Sequence, residues 1–116
     1  MPNRQPPPKA DVLQGTLDLM VLQTLESMGP QHGYAIAARL EQTSGGALQL
    51  NMGTLYPALM RLEQRGLLRG AWHTTENNRR ARLYSVTPAG RRQLATGRKA
   101  WNRMSAIMQR VLGSEG

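Results

Sequence analysis

Eight arginines stand between Arg61 and Arg92 against two acids, Glu63 and Glu76, a local charge of +6. The whole chain of 116 residues carries 15 Lys and Arg against 7 Asp and Glu, a net +8, and only Lys9 and Lys99 among those bases are lysines. A guanidinium is planar and offers its donors as a fork, which suits phosphate oxygens and the guanine edge. A basic stripe on a small domain points to nucleic acid more than to acidic lipid or protein. Other chemistry is sparse. His32 and His73 are the only histidines, neither has a helical i+4 ligand partner, and cysteine is absent. No carboxylate pair has the spacing for acid–base work, and no lysine follows the Ser44-Gly45-Gly46 turn as a phosphate-binding loop requires. Catalysis, a metal site and a cofactor are therefore not expected.

The residues that could read DNA need a helix to carry them. In Asn51–Leu68, Leu55, Leu59 and Leu62 recur at i, i+4 and i+7, one face of an α-helix. Gly53, Thr54, Pro57, Met60, Arg61 and Gln64 fall on the far side, with Glu63 on a flank. Such a helix can bury its leucines and enter a major groove. The same pattern also suits an ordinary amphipathic surface helix. Pro57 restricts where it starts. Proline is costly inside a helix and harmless in the first turn, which places the start between Asn51 and Thr54.

The remaining elements follow in order. Residues 1–10 hold four prolines and no apolar period, which reads as a disordered arm. Thr16 is a plausible N-cap for a helix with Asp18 in its first turn and a stripe of Leu17, Val21, Leu25 and Met28, stopped by Gly29-Pro30. A second helix is expected from about Gly33 to Thr43, with Ile36, Ala37 and Leu40 buried, and Ser44-Gly45-Gly46 breaks it. Helix, turn, helix is a DNA-binding arrangement whose second helix enters the groove. Strands are then expected over Leu67–Trp72 and Arg79–Val86, joined by a polar connection in which Asn77 and Asn78 tolerate left-handed backbone. That hairpin is a wing, with Arg79 and Arg80 near its tip and Trp72 as its packing residue. Thr87-Pro88 opens a last helix reaching Leu112, roughly 37 Å long. Leu94, Trp101 and Met108 are seven apart, with Met104 and Val111 at the complementary positions and Gly97 at the remaining one. A seam with nothing after it to cover it suits a second chain, and packing on the first helix of the same chain is the alternative. The methionines at helical spacing, Met20, Met28, Met104 and Met108, read mainly as core.

Taken together, Gly33-Tyr34, the run Gly53-Thr54-Leu55-Tyr56-Pro57-Ala58-Leu59, Arg61-Leu62-Glu63, Gly66-Leu67-Leu68, Trp72, Arg79-Arg80, Tyr84, Thr87 and Gly90 resemble the PadR-like transcriptional regulators over about Leu13–Leu112. The single C-terminal helix suits the short-tailed members. The resemblance implies a winged helix-turn-helix that dimerises through its last helix with help from the first, represses from a palindromic operator, and is released by a small, often aromatic, molecule. It places Tyr34, Thr54, Tyr56 and Arg61 on the DNA-facing surface, and Arg79 and Arg80 on the wing. Trp101 falls where the drug-sensing members carry an aromatic at the dimer centre. The family often has glycine where Asn77-Asn78 stands and tyrosine where Leu83 stands.

The expectation is thus a mainly α fold with a two-stranded β wing. Residues 1–10 form an arm, 11–87 a winged helix-turn-helix domain and 88–116 a dimerisation helix. The partners are double-stranded DNA, a second copy and an aromatic effector. The DNA-binding residues are Tyr34, Asn51, Gly53, Thr54, Tyr56, Arg61, Arg79, Arg80 and Arg82. The dimer interface holds Leu17, Val21, Leu94, Trp101, Met104, Met108 and Val111, and the effector meets Trp101 and Met104. With no apolar run of transmembrane length and no apolar leader, a cytoplasmic protein is the default. An architectural DNA binder or a protein–protein module of the same fold is the second reading.

Overall fold

The computed structural model describes residues 9–113. The elements are α1 (Lys9–Met28), β1 (Gln31–His32), α2 (Gly33–Thr43), α3 (Met52–Gln64), β2 (Leu68–Thr74), β3 (Arg80–Val86) and α4 (Pro88–Leu112). Most of the expected arm, residues 1–8, lies outside the described residues, while Lys9 and Ala10 already belong to α1. Thr16 is therefore inside a helix rather than at its N-cap, and Asp18 is not in a first turn. Gly29, at φ +83°, ends α1 in left-handed backbone that a side chain would resist.

The core is one cluster fed by every helix. Leu17, Val21, Leu22 and Leu25 of α1 meet Ile36 and Leu40 of α2, Leu55, Ala58, Leu59 and Leu62 of α3, Leu68 and Tyr84 of the sheet and Leu94 of α4. Leu55, Leu59 and Leu62 are fully buried, and each such leucine contributes roughly 2 kcal/mol of apolar burial. Leu17, Val21 and Leu94 were expected at the dimer interface. They are 6 %, 0 % and 5 % exposed within a single chain, so they have almost no surface left to give a partner.

The sheet has three strands in the order β1-β3-β2, all antiparallel. The wing hairpin was expected, but β1, two residues just before α2, was not. No periodic signal can mark so short a strand. Its pairing of Gln31 with Tyr84 and His32 with Leu83 ties the start of the helix-turn-helix to the wing. Asn78 takes the left-handed backbone at the wing turn, φ 62°.

Thr87 joins sheet to tail. Its hydroxyl accepts from Gly90 N at 3.0 Å as the N-cap of α4 and donates to Gly66 O at 2.7 Å. A Cβ on Gly90 would collide with the Leu67 carbonyl, so only glycine lets α4 leave the sheet this closely. Farther along, α4 crosses α1 at Gly97, where a Cβ would stand 2.8 Å from Leu19 Cδ1. Arg91 Nε donates to Glu26 Oε1 at 3.0 Å beside this crossing. The inner half of the heptad seam is thus spent on α1 of the same chain, and the outer half is not. Trp101, Met104, Ile107, Met108 and Val111 are all exposed. Met104 and Met108 are therefore surface residues here, contrary to the core reading, while Met20 and Met28 are half-buried.

Candidate nucleic-acid interface

Helix α3 starts at Met52, inside the expected window. Asn51 is its N-cap, and its side chain accepts from Thr54 N at 2.9 Å. Pro57 lies within the helix rather than at its first residue. Lacking an N–H, it leaves the carbonyl of Gly53, four residues earlier, without its helical donor. The leucines turn inward, and Gly53, Thr54, Tyr56, Pro57 and Met60 stay exposed. Tyr34, at the second position of α2, is 63 % exposed.

Tyr34 does not stand alone. The His32 ring stacks on it, 5.5 Å between centroids and 15° between planes. His32 Nδ1 donates to the Arg82 carbonyl at 3.1 Å, since a carbonyl can only accept. The His73 ring, from β2, lies 5.3 Å from His32. Two histidines far apart in the chain therefore meet, flanking β3 opposite Leu83 and Ala81. Among the described residues no group of three or more potential ligands gathers, so this pair does not extend into a metal centre. His32 precedes α2 but makes no side-chain capping bond.

Two expected DNA contacts are differently placed. Arg61 does not project from the exposed face of α3. Its Nη2 donates to Asp18 Oδ1 at 2.9 Å, and its Nε is buried without a hydrogen-bond partner. The carboxylate of α1 draws the side chain back from the outer face, so Arg61 is engaged with α1. Arg82 likewise turns back and pairs with Glu63 of α3. Its guanidinium also lies 5.3 Å from the Trp72 ring centroid and 6.0 Å from that of Tyr84. Trp72 is 57 % exposed, not a packing residue, and Arg80 covers the same ring at 4.9 Å. Such cation–π contacts contribute about 0.5–1 kcal/mol at exposed sites. Arg79 and Arg80 remain exposed at the wing, as expected.

The partnerships of Asp18 with Arg61, of Glu63 with Arg82 and of His32 with His73 were not foreseen from the sequence. The partners lie 43, 19 and 41 positions apart, separations that no helical or strand period encodes. Tyr84 is buried behind the interface, and burial first, then the neighbouring Tyr56, hold its hydroxyl above the usual tyrosine range. A groove of about 570 Å³ opens between α1, the end of α3 and α4. Leu22, Leu62, Trp101 and Met104 line it, with Asp18 and Arg65 as its charged residues.

A helix-turn-helix with an exposed polar and aromatic face, followed by an arginine-tipped wing, defines a DNA-binding regulator. Residues 21–96 match the transcriptional regulator PadR-like family, and the chain belongs to that family. That family is one of transcriptional regulators, not of enzymes. The chain is 36 % identical over 75 residues to the transcriptional regulator Rv3488 of Mycobacterium tuberculosis, covering 65 % of this chain and 66 % of that protein. It is 44 % identical over 77 residues to an uncharacterised 37.1 kDa protein in transposon TN4556 of Streptomyces fradiae, covering 66 % of this chain but only 21 % of that protein. The match thus spans less than two thirds of the length of either relative. Among solved structures, a PadR family regulator from Eggerthella lenta superposes with a TM-score of 0.77 at 28 % identity, covering 90 % of this chain and 88 % of that one. A transcriptional regulator from Clostridium thermocellum gives 0.80 at 24 % identity, covering 89 % and 99 %, and so supports the fold. Among the described residues no helix is long and apolar enough to cross a membrane.

Proposed function

We propose that this chain is a cytoplasmic repressor that binds a palindromic operator as a homodimer. The observation that supports this best is the division of α3, which buries every leucine and leaves Thr54, Tyr56 and Met60 facing solvent beside the wing. Thr54, Tyr56, Asn51 and the bare backbone at Gly53 enter the major groove, and Tyr34 holds flanking phosphate. Arg79 and Arg80 lie along the backbone or in the adjacent minor groove. The outer half of α4 supplies the dimer contact, since Trp101, at 51 % exposure, and Met104, at 55 %, begin an apolar strip left uncovered among the described residues. A flat aromatic effector enters the groove against Trp101 and Met104, next to Asp18.

The test is selection of duplexes from a random library by the purified protein, followed by titration on the selected and a random duplex. A regulator should prefer the selected duplex by at least about a thousandfold. Near parity would instead support an architectural role, and no retained DNA would overturn the reading. Quenching of Trp101 fluorescence by an aromatic compound, with release of the duplex, tests the effector. A Trp101→Ala protein that still responds normally would remove that part.

A further inference from the structure

Arg82 is held by groups from three directions. Glu63, two residues before the C-cap of α3, accepts from its Nη2. The indole of Trp72 and the phenol ring of Tyr84 flank its guanidinium. Gly70 lies beneath, where any Cβ would run into the guanidinium. The Arg82 and Glu63 side chains are only 26 % and 31 % exposed. In the strand register Trp72 stands directly opposite Arg82, and Thr74 opposite Arg80. Arg80 is thus the diagonal neighbour of Trp72 and reaches the same ring. One indole carries two arginines, Arg82 fastened to α3 and Arg80 at the tip end of the hairpin.

We infer that Glu63 and Arg82 are positioning residues that fix the wing against the recognition helix, so that Arg80, resting on Trp72, meets DNA at a set distance from Thr54 and Tyr56. This rests on the DNA-binding surface proposed above. Beyond the β1 pairing at Leu83 and Tyr84 the wing is a two-stranded hairpin, which is marginal alone and pivots unless something outside it holds it. Recognition of one duplex needs helix and wing contacts in register, whereas binding to any duplex needs mainly positive charge. Loosening the clamp therefore costs preference and spares unspecific binding. A phosphate-contacting Arg82 behaves oppositely, because removing Glu63 would free its charge for DNA.

The experiment compares Glu63→Gln, Arg82→Gln and Arg80→Gln on the library-selected duplex and on a random duplex over a series of salt concentrations. Circular dichroism and thermal melting check that each variant is folded. Glu63→Gln and Arg82→Gln are each expected to weaken binding to the selected duplex about tenfold. On the random duplex both should stay within about threefold of the parent, with its salt slope unchanged. Arg80→Gln is expected to weaken both duplexes and flatten the slope. Tighter binding of Glu63→Gln to both duplexes, or a flatter slope for Arg82→Gln, overturns the clamp. So does parent-like behaviour of both clamp variants while Arg80→Gln still weakens binding, in which case the DNA surface stands without it. If no duplex is selected and Arg80→Gln changes nothing, the DNA surface itself fails and the clamp with it. Should Arg82→Gln not fold, Glu63→Gln alone decides, because its two expected outcomes differ in sign.

Discussion

Asp18 holds two arginines of the recognition segment at once, Arg61 at 2.9 Å and Arg65 at 3.9 Å. The carboxylate belongs to α1 and is 13 % exposed, while Arg61 lies on the last turn of α3 and Arg65 is its C-cap. Asp18 also lines the groove that reaches Trp101. A single acid therefore sits between the helix proposed to meet DNA and the space proposed for an effector.

Removing that charge should be felt in stability. Asp18→Asn leaves Arg61 with a buried, unpartnered Nε and no counter-ion. The pair is partly solvated, so a loss of about 1–2 kcal/mol is expected rather than the larger cost of a fully buried pair. Urea denaturation would read this as a lower midpoint at unchanged slope. A midpoint equal to the parent's would mean that Asp18 does not hold α3.

Gly90 and Gly97 should respond differently to alanine. Both lie in α4, where alanine is otherwise favoured by about 1 kcal/mol. At Gly90 the new methyl meets a backbone carbonyl, which cannot yield, and a net loss of about 1–3 kcal/mol is expected. At Gly97 it meets the end of the Leu19 side chain, which can rotate away, so the loss should be smaller. Thermal melting of the two variants side by side checks the order, and a reversed order would contradict the packing described.

Tyr84 sets an alkaline limit. Its folded pKa is raised, chiefly by burial, above the unfolded value near 10. Below that value both states keep the proton and the contribution to stability is complete. As pH rises through about 10 the unfolded chain ionises first, and stability falls until the folded pKa is passed. Melting temperature measured from pH 8 upward should therefore drop faster for the parent than for Tyr84→Phe. Parallel curves would show that Tyr84 is not the group responsible.

The tail strip should decide assembly. Ile107 is 42 % exposed among Trp101, Met104 and Met108, so Ile107→Glu places a charge in an apolar contact without disturbing the monomer's core. Light scattering should find the parent at twice the mass of its chain and this variant shifted toward one chain, with unchanged helical dichroism. A parent that runs as a monomer would remove the dimer.

What the sequence made legible follows from range. The leucine spacing of α3, the Thr87-Pro88 cap and the Asn turn are local signals, and α2 and α4 begin and end where those signals placed them. Family motifs carried the winged helix-turn-helix class and the exposed positions Tyr34, Thr54 and Tyr56. Helical angle and the family motif both put Arg61 on the outer face, because neither registers the pull of Asp18 across 43 residues. Arg82 was counted with the wing's free cations for the same reason, with Glu63 on another element. Leu17, Val21 and Leu94 satisfied the pattern of an interface because a monomer core and a dimer seam draw on the same apolar spacing. Only the packing of α4 on α1 distinguishes them.

Footprinting on a library-selected duplex tests most directly the idea that two chains present paired recognition helices and wings. Two symmetric zones of protection are expected, with centres about one helical turn or a whole multiple of it apart, and Arg79→Ala with Arg80→Ala should weaken both zones alike. A single asymmetric zone, or protection that follows no sequence, would contradict it.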